Sequence, residues 1–168
     1  MQMYILRGLP SSGKSTLAEI LKQNGVVNEV HANDDYYHEL AAKEQTTYRQ
    51  VFNPKFRKRA RAQCLKRVES ALKAGKSVAV ANVFHSNATM NAYIELARLY
   101  GAQLFVITVE RNATMSTIND HMTPRQWHRV SQDMADGWEP HDSRLVRRSW
   151  LRRAVYFLYF RFTNFFNR

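Results

Sequence analysis

Eight residues near the start, Gly8-Leu9-Pro10-Ser11-Ser12-Gly13-Lys14-Ser15, constrain the fold of this chain more than any other feature. Two glycines stand five positions apart, and the second is followed by lysine and a hydroxyl residue. An apolar run, residues 1–7, precedes them, and residues 15–23 carry Leu17, Ile20 and Leu21 at helical spacing. A strand, a glycine-bearing loop and a helix in that order turn backbone N–H groups and the positive end of a helix toward one point. The glycines let the loop bend without Cβ clashes. Such a loop suits a phosphate chain, with Lys14 offsetting the terminal charge and the Ser15 hydroxyl placed to ligate Mg2+. Gly8, Leu9, Pro10, Ser11, Ser12, Gly13, Lys14, Ser15 and Thr16 are therefore the expected nucleotide-binding residues, and ATP with Mg2+ the expected ligands.

The remaining pattern alternates strands with helices. Residues 26–31 predict a second strand, after Asn24-Gly25 ends the first helix. Residues 55–73 predict a long helix, with Phe56, Ala60, Cys64, Val68 and Leu72 four apart on one face and Gly75 as its stop. Residues 77–83 read as a third strand, 87–100 as a helix ended by Gly101, and 103–109 as a fourth strand. Right-handed crossovers between such strands imply an α/β fold with a mostly parallel sheet flanked by helices. Further on, Thr123-Pro124-Arg125-Gln126 opens a helix well, because threonine caps, proline suits the first helical position and glutamine completes a capping box. Trp127, Val130 and Met134 then share a face.

A length of 168 residues allows one domain with a real core and not two. No stretch approaches the roughly 20 apolar residues of a spanning helix. The N-terminus reads as a strand and not a secretory signal, and the lone Cys64 excludes an internal disulfide, so a reducing cytoplasm is the expected compartment. The histidines show no metal-binding spacing.

The net charge of +11 is unevenly spread. Residues 55–67 hold seven Lys or Arg and no acid, and residues 141–168 hold seven Arg against Asp142. Two such blocks point to a polyanion, nucleic acid first and anionic lipid second, or to a solvated basic face. The end of the chain interleaves its arginines with aromatics. In the patch 144–153, arginines would pair phosphates while Trp150 stacked a base; alternatively the aromatics of the tail would meet a membrane surface or a protein partner, or pack on the sheet. The expected organisation is a domain over residues 1–140 and a basic aromatic extension over 141–168.

With these residues in view, the sequence resembles the P-loop kinases that include the kinase domain of phage polynucleotide kinase and the zeta-toxin kinases. The likeness runs from Met3 to about Pro140. It rests on Ile5-Leu6-Arg7-Gly8-Leu9-Pro10 leading into the P-loop and on Asn33-Asp34-Asp35-Tyr36-Tyr37 after the second strand. Tyr48 and Phe52, then Tyr93, Leu96 and Ala97, then residues 119–121 and Trp138-Glu139 follow in order. The resemblance implies a helical lid, and a catalytic role for Asp34, which would orient the acceptor hydroxyl and take its proton at the end of a strand beside the P-loop. It also implies lid arginines on the transferring phosphate, for which Arg125 and Arg129 are the candidates, with Arg111 behind them. Asp35 reads instead as a helix cap.

Two positions depart from that family's pattern. The third strand, where the family carries an aspartate, reads Val80-Ala81-Asn82-Val83-Phe84, leaving Asn82 able to bind only through its amide. Tyr37 and His38 stand where polynucleotide kinases hold an arginine for the acceptor's phosphate. Three functions fit this combination: a kinase acting on a hydroxyl of nucleic acid, a kinase of a small molecule such as a nucleotide or nucleotide sugar, and a non-catalytic nucleotide-binding adaptor or inhibitor.

Overall fold

In the computed structural model the described residues are 1–109. They form a four-stranded parallel sheet, order β2-β3-β1-β4, with β1 at Gln2–Arg7, β2 at Glu29–His31, β3 at Val78–Ala81 and β4 at Gln103–Thr108. The connections are α1 (Lys14–Gln23) between β1 and β2, and α5 (Asn87–Leu99) between β3 and β4. Between β2 and β3 run α2 (Asp35–Lys43), α3 (Tyr48–Val51), a 3-10 turn at Pro54–Phe56, and α4 (Arg57–Lys73). The expected helix from Thr123, the helical lid and the extension 141–168 lie outside the described residues. Among the described residues no helix is long and apolar enough to cross a membrane.

Alternation along β1 divides the core. Met3 and Ile5 face Cys64, Val68 and Leu72 of α4 and Met90, Tyr93 and Ala97 of α5. Leu6 faces Ala18 of α1, with Tyr4, Leu17, Leu21 and Val27 around it. The sheet is thus covered by α1 on one face and by α4 and α5 on the other. Right-handed crossovers require this: the chain moves from β1 out to β2, then reverses direction for β3 and β4. A third cluster joins Tyr37 and Ala41 of α2 to Val51 of α3 and Ala60 of α4.

The long helix keeps its expected face, since Ala60, Cys64, Val68 and Leu72 are all buried. Three boundaries and one face differ from expectation. The second strand is Glu29–His31 and not 26–31, because the amides of Val26 and Val27 turn back onto the Leu21 carbonyl and close α1. The third strand is Val78–Ala81, and α4 begins at Arg57 because Pro54 first starts a 3-10 turn capped by Asn53. Ile20 is 48% exposed, and the small Ala18 takes the buried place on α1.

Candidate functional site

The order of strands fixes where a ligand crevice opens. β1 sends its chain to one face and the adjacent β3 sends its chain to the other, so the loops after these strands part from each other. In open parallel sheets such a switch point, at the carboxyl ends of the strands, is where ligands bind. The P-loop leaves β1 at this point.

Gly8 has φ 155°, and a Cβ built on it would lie 2.4 Å from the Val109 carbonyl oxygen and 2.8 Å from Ser12 Oγ. Only glycine lets the loop pass so close to the chain leaving β4, which is itself tied back by the Val109 amide to the Arg7 carbonyl at 2.8 Å. Ser11 and Gly13 both take left-handed φ values, 63° and 97°, and Gly13 passes the chain into α1. No acid stands in the first turn of α1, so its positive end is uncompensated there. Below the loop, buried Arg7 donates from Nε to Thr108 Oγ1 at 3.2 Å, and burial lowers its pKa to about 10.

Lys14, 7% exposed, is the first residue of α1. Its Nζ donates to the Leu9 carbonyl at 2.6 Å and lies 3.5 Å from Ser12 Oγ. Burial lowers its pKa to about 8, and the Asp34 carboxylate pulls the other way. This electrostatic coupling links the P-loop lysine to the loop after β2. Ser15 and Thr16 are exposed on the first turn of α1.

Asp34 is exposed at the head of α2. Its strand is not the neighbour of β1, as the sequence reading expected: β3 lies between them. Strand pairing is non-local, and the later β3 completes the sheet by entering between the two earlier strands. Asn82, at the end of β3, bridges the gap. Its Oδ1 accepts the backbone amide of Asn33 at 2.8 Å, and its own backbone N–H donates to the Leu6 carbonyl at 3.2 Å. The amide oxygen considered above as a ligand is therefore engaged in holding the Asp34 loop. Nδ2 of Asn82 points toward Cys64 Sγ, 3.9 Å away, and burial pushes the Cys64 thiol pKa up. Asp35 does not cap the helix; its Oδ2 accepts the Ala32 amide three residues back, at 2.8 Å, and braces the loop.

Tyr37 is 2% exposed inside the aromatic cluster and donates to the Asn53 carbonyl at 3.2 Å. The residue standing where the resemblance would put an arginine is thus part of the core. One neighbour was invisible in the sequence as a site residue: Tyr48 Oη donates to Asp34 Oδ1 at 3.0 Å. The two lie 14 residues apart, and no local pattern pairs them. Arg111, Arg125 and Arg129 lie outside the described residues.

A groove of about 760 Å³ runs beside β2 between α2 and α4, past His31, His38 and Lys66. Two of its side chains are already partnered, His31 with Glu29 at 3.0 Å and Arg67 with Glu39 at 2.7 Å.

Among the described residues no three His, Cys, Asp or Glu side chains gather as a metal site. The P-loop geometry nevertheless fits a nucleotide's phosphates: a loop turned tightly at Gly8, Ser11 and Gly13, a buried lysine, and a helix end with no acid in its first turn. Mg2+ would then be held by Ser15 and by the phosphates themselves.

Comparison with known proteins bears on the same region. Solved structures share the fold at low identity. A candidate kinase from Chloroflexus aurantiacus J-10-fl superposes with a TM-score of 0.51 at 16% identity, covering 64% of this chain and 58% of its own. A chain of the Pnkp1/Rnl/Hen1 RNA repair complex gives 0.61 at 16% identity, covering 88% of this chain and 50% of its own. A chain from a second structure of the Pnkp1/Rnl/Hen1 complex gives 0.53 at 14% identity, covering 88% and 42%. This chain therefore spans between 42% and 58% of the length of those structural relatives. No curated protein sequence matches it. The model of the AAA domain family matches residues 3–137, which take in the P-loop and all of the described sheet but Gln2, and the chain belongs to that family.

Proposed function

We propose that this chain is an ATP-dependent phosphotransferase that passes a γ-phosphoryl group to a hydroxyl of nucleic acid. One observation carries the reading: the exposed Asp34 carboxylate is tied through Asn33 and Asn82 to the strand that delivers the P-loop, and is electrostatically coupled to Lys14. A carboxylate so placed would orient an acceptor hydroxyl and accept its proton as the new P–O bond forms. Lys14 and the P-loop amides would hold the donor phosphates, with Arg125 and Arg129 as the proposed further cations on the transferring group. Ser15 would hold Mg2+, which when bound supplies positive charge against the phosphate oxygens.

Nucleic acid is the favoured acceptor because of charge at the same edge of the sheet. α4 runs down into parallel β3, so its first turns stand at the carboxyl ends of the strands. There Arg57, Lys58, Arg59 and Arg61 are exposed, with Lys55 just before them. No acid occurs between Glu44 and Glu69. Such a block suits a chain of phosphates. A structural relative from an RNA repair complex is consistent with this acceptor. The basic patch 144–153 is a second proposed contact for nucleic acid, with a membrane surface as the other proposed use of the tail. The single buried Cys64 supports a reducing, cytoplasmic setting.

The test is transfer from γ-labelled ATP to a panel of oligonucleotide ends, nucleotides, sugars and proteins. Label on DNA or RNA ends, lost in Lys14→Ala and Asp34→Ala, is expected. Unchanged transfer in both variants would sink the mechanism. Label on small molecules alone, with no oligonucleotide binding at low salt, would make the chain a small-molecule kinase. ATP binding with no transfer to any acceptor would make it a non-catalytic nucleotide-binding protein.

A further inference from the structure

The hydrogen bond from Tyr48 to Asp34 joins two otherwise separate segments. Tyr48 opens α3, a single turn that would be unstable alone. It is held at its start by the Gln50 side chain, which accepts the Thr47 amide at 3.0 Å, and along its length by aromatic packing. The Tyr48 ring lies 5.6 Å from Phe52, 5.7 Å from Tyr37 and 4.9 Å from His38, centroid to centroid. A phenol anchored on three rings has little freedom left. Its hydroxyl ends on Asp34 Oδ1 at 3.0 Å, and among the described residues no donor is placed on Oδ2.

We propose that Tyr48 is a positioning residue for Asp34: by donating to Oδ1 it fixes the plane of the carboxylate and reserves Oδ2 for the acceptor hydroxyl. The proposal rests on the phosphotransfer reading above and adds to it the residue that orients the base. Rotation of an exposed aspartate about its two side-chain torsions would otherwise scatter the accepting oxygen over several ångströms. Holding a reacting group in a near-attack geometry is a large part of what an enzyme supplies. Burial, and then the Asp34 charge, push the Tyr48 hydroxyl's pKa up, so it stays protonated and a donor through the working pH range. Among the described residues, the groups that face Asp34 are Lys14 from α1, Tyr37 from α2 and Tyr48 from α3, with His38 against the Tyr48 ring.

The experiment compares Tyr48→Phe with Asp34→Asn and with Phe52→Leu, in the full chain, reading transfer to an oligonucleotide end, kcat and KM for ATP separately, and the melting temperature. Tyr48→Phe keeps the ring and removes only the hydroxyl. It is expected to lower kcat by roughly tenfold at unchanged KM for ATP. Phe52→Leu disturbs the same cluster without touching the bond, and should lower the melting temperature while leaving kcat near the wild-type value. A wild-type kcat in Tyr48→Phe, with Asp34→Asn inactive, would overturn the role of Tyr48 alone. Full transfer by Asp34→Asn would overturn the reading beneath it. Phosphate found on Tyr48 Oη would also overturn the proposal, since the hydroxyl would then occupy the acceptor's seat.

Discussion

Lys14 carries the sharpest quantitative consequence. Its pKa is lowered by burial to about 8, so the free protein holds this charge only conditionally. At pH 7 about nine-tenths of the population has a charged Lys14, and at pH 9 about one-tenth. A nucleotide's phosphates favour the charged form, and above the free-state pKa a proton must be taken up to bind them. Affinity for ADP should therefore fall about tenfold between pH 7 and pH 9. Further ionisation of the nucleotide over this range would strengthen binding, so it does not imitate the effect. Lys14→Arg keeps its charge throughout and should show no such loss. The assay is titration of a fluorescent ADP at fixed ionic strength, with calorimetry in two buffers of different ionisation heat to count the proton. Equal slopes in wild type and Lys14→Arg, or no proton uptake near pH 8, would refute the reasoning. The same depressed pKa has a sign for stability. Between about 8 and the ordinary 10.5 the unfolded chain binds more protons than the folded one, so this group adds stability as pH rises through that window.

Two further predictions test the frame around that lysine. Gly8→Ala puts a methyl 2.4 Å from the Val109 carbonyl oxygen at a φ that L residues rarely adopt. It should cost roughly 2 kcal/mol or more in urea denaturation and abolish nucleotide binding. Asn82→Ala strands the Asn33 amide and should cost about 1–3 kcal/mol in the same measurement. It should also slow transfer with little change in ADP affinity, because it loosens the Asp34 loop and leaves the P-loop intact; a normal rate would show that the bond does not position Asp34.

The sequence made some of this structure legible and hid the rest for identifiable reasons. The P-loop was readable because its chemistry is local: glycines, lysine and hydroxyl lie within eight residues between a strand and a helix. The buried face of α4 was readable because period-four spacing survives at Ala60, Cys64, Val68 and Leu72. Val26 and Val27 looked like strand because they are β-branched, yet they plug the end of α1, where Val27 is 2% exposed. Strand order was not readable, because pairing between residues such as Met3 and Val78 has no local signature. The same holds for Asp34: its identity stood out beside Tyr36 and Tyr37, but its tie to Tyr48 exists only once α2 and α3 fold onto α4. Tyr37 and Asn82 looked like missing charges until their buried partners, the Asn53 carbonyl and the Asn33 amide, were seen.

Asn82 also explains how a neutral residue can serve at the end of β3. The order β2-β3-β1-β4 puts that position between the P-loop and Asp34. A carboxylate there would be buried, and would set a second negative charge near Asp34, raising the cost of keeping both ionised. It could still accept the Asn33 amide, but it could not donate. The amide does both, accepting through Oδ1 and pointing Nδ2 at the Cys64 sulfur. The geometric half of an acidic residue's task is thereby kept and the charge given up. On the phosphotransfer reading, the donor's phosphates must then be balanced from the other side of the crevice, by Lys14, by the ion that Ser15 would hold and by the arginines proposed beyond residue 109. This puts the P-loop lysine, with its conditional charge, at the centre of the electrostatics and makes nucleotide affinity more dependent on pH than an acid-assisted metal site would.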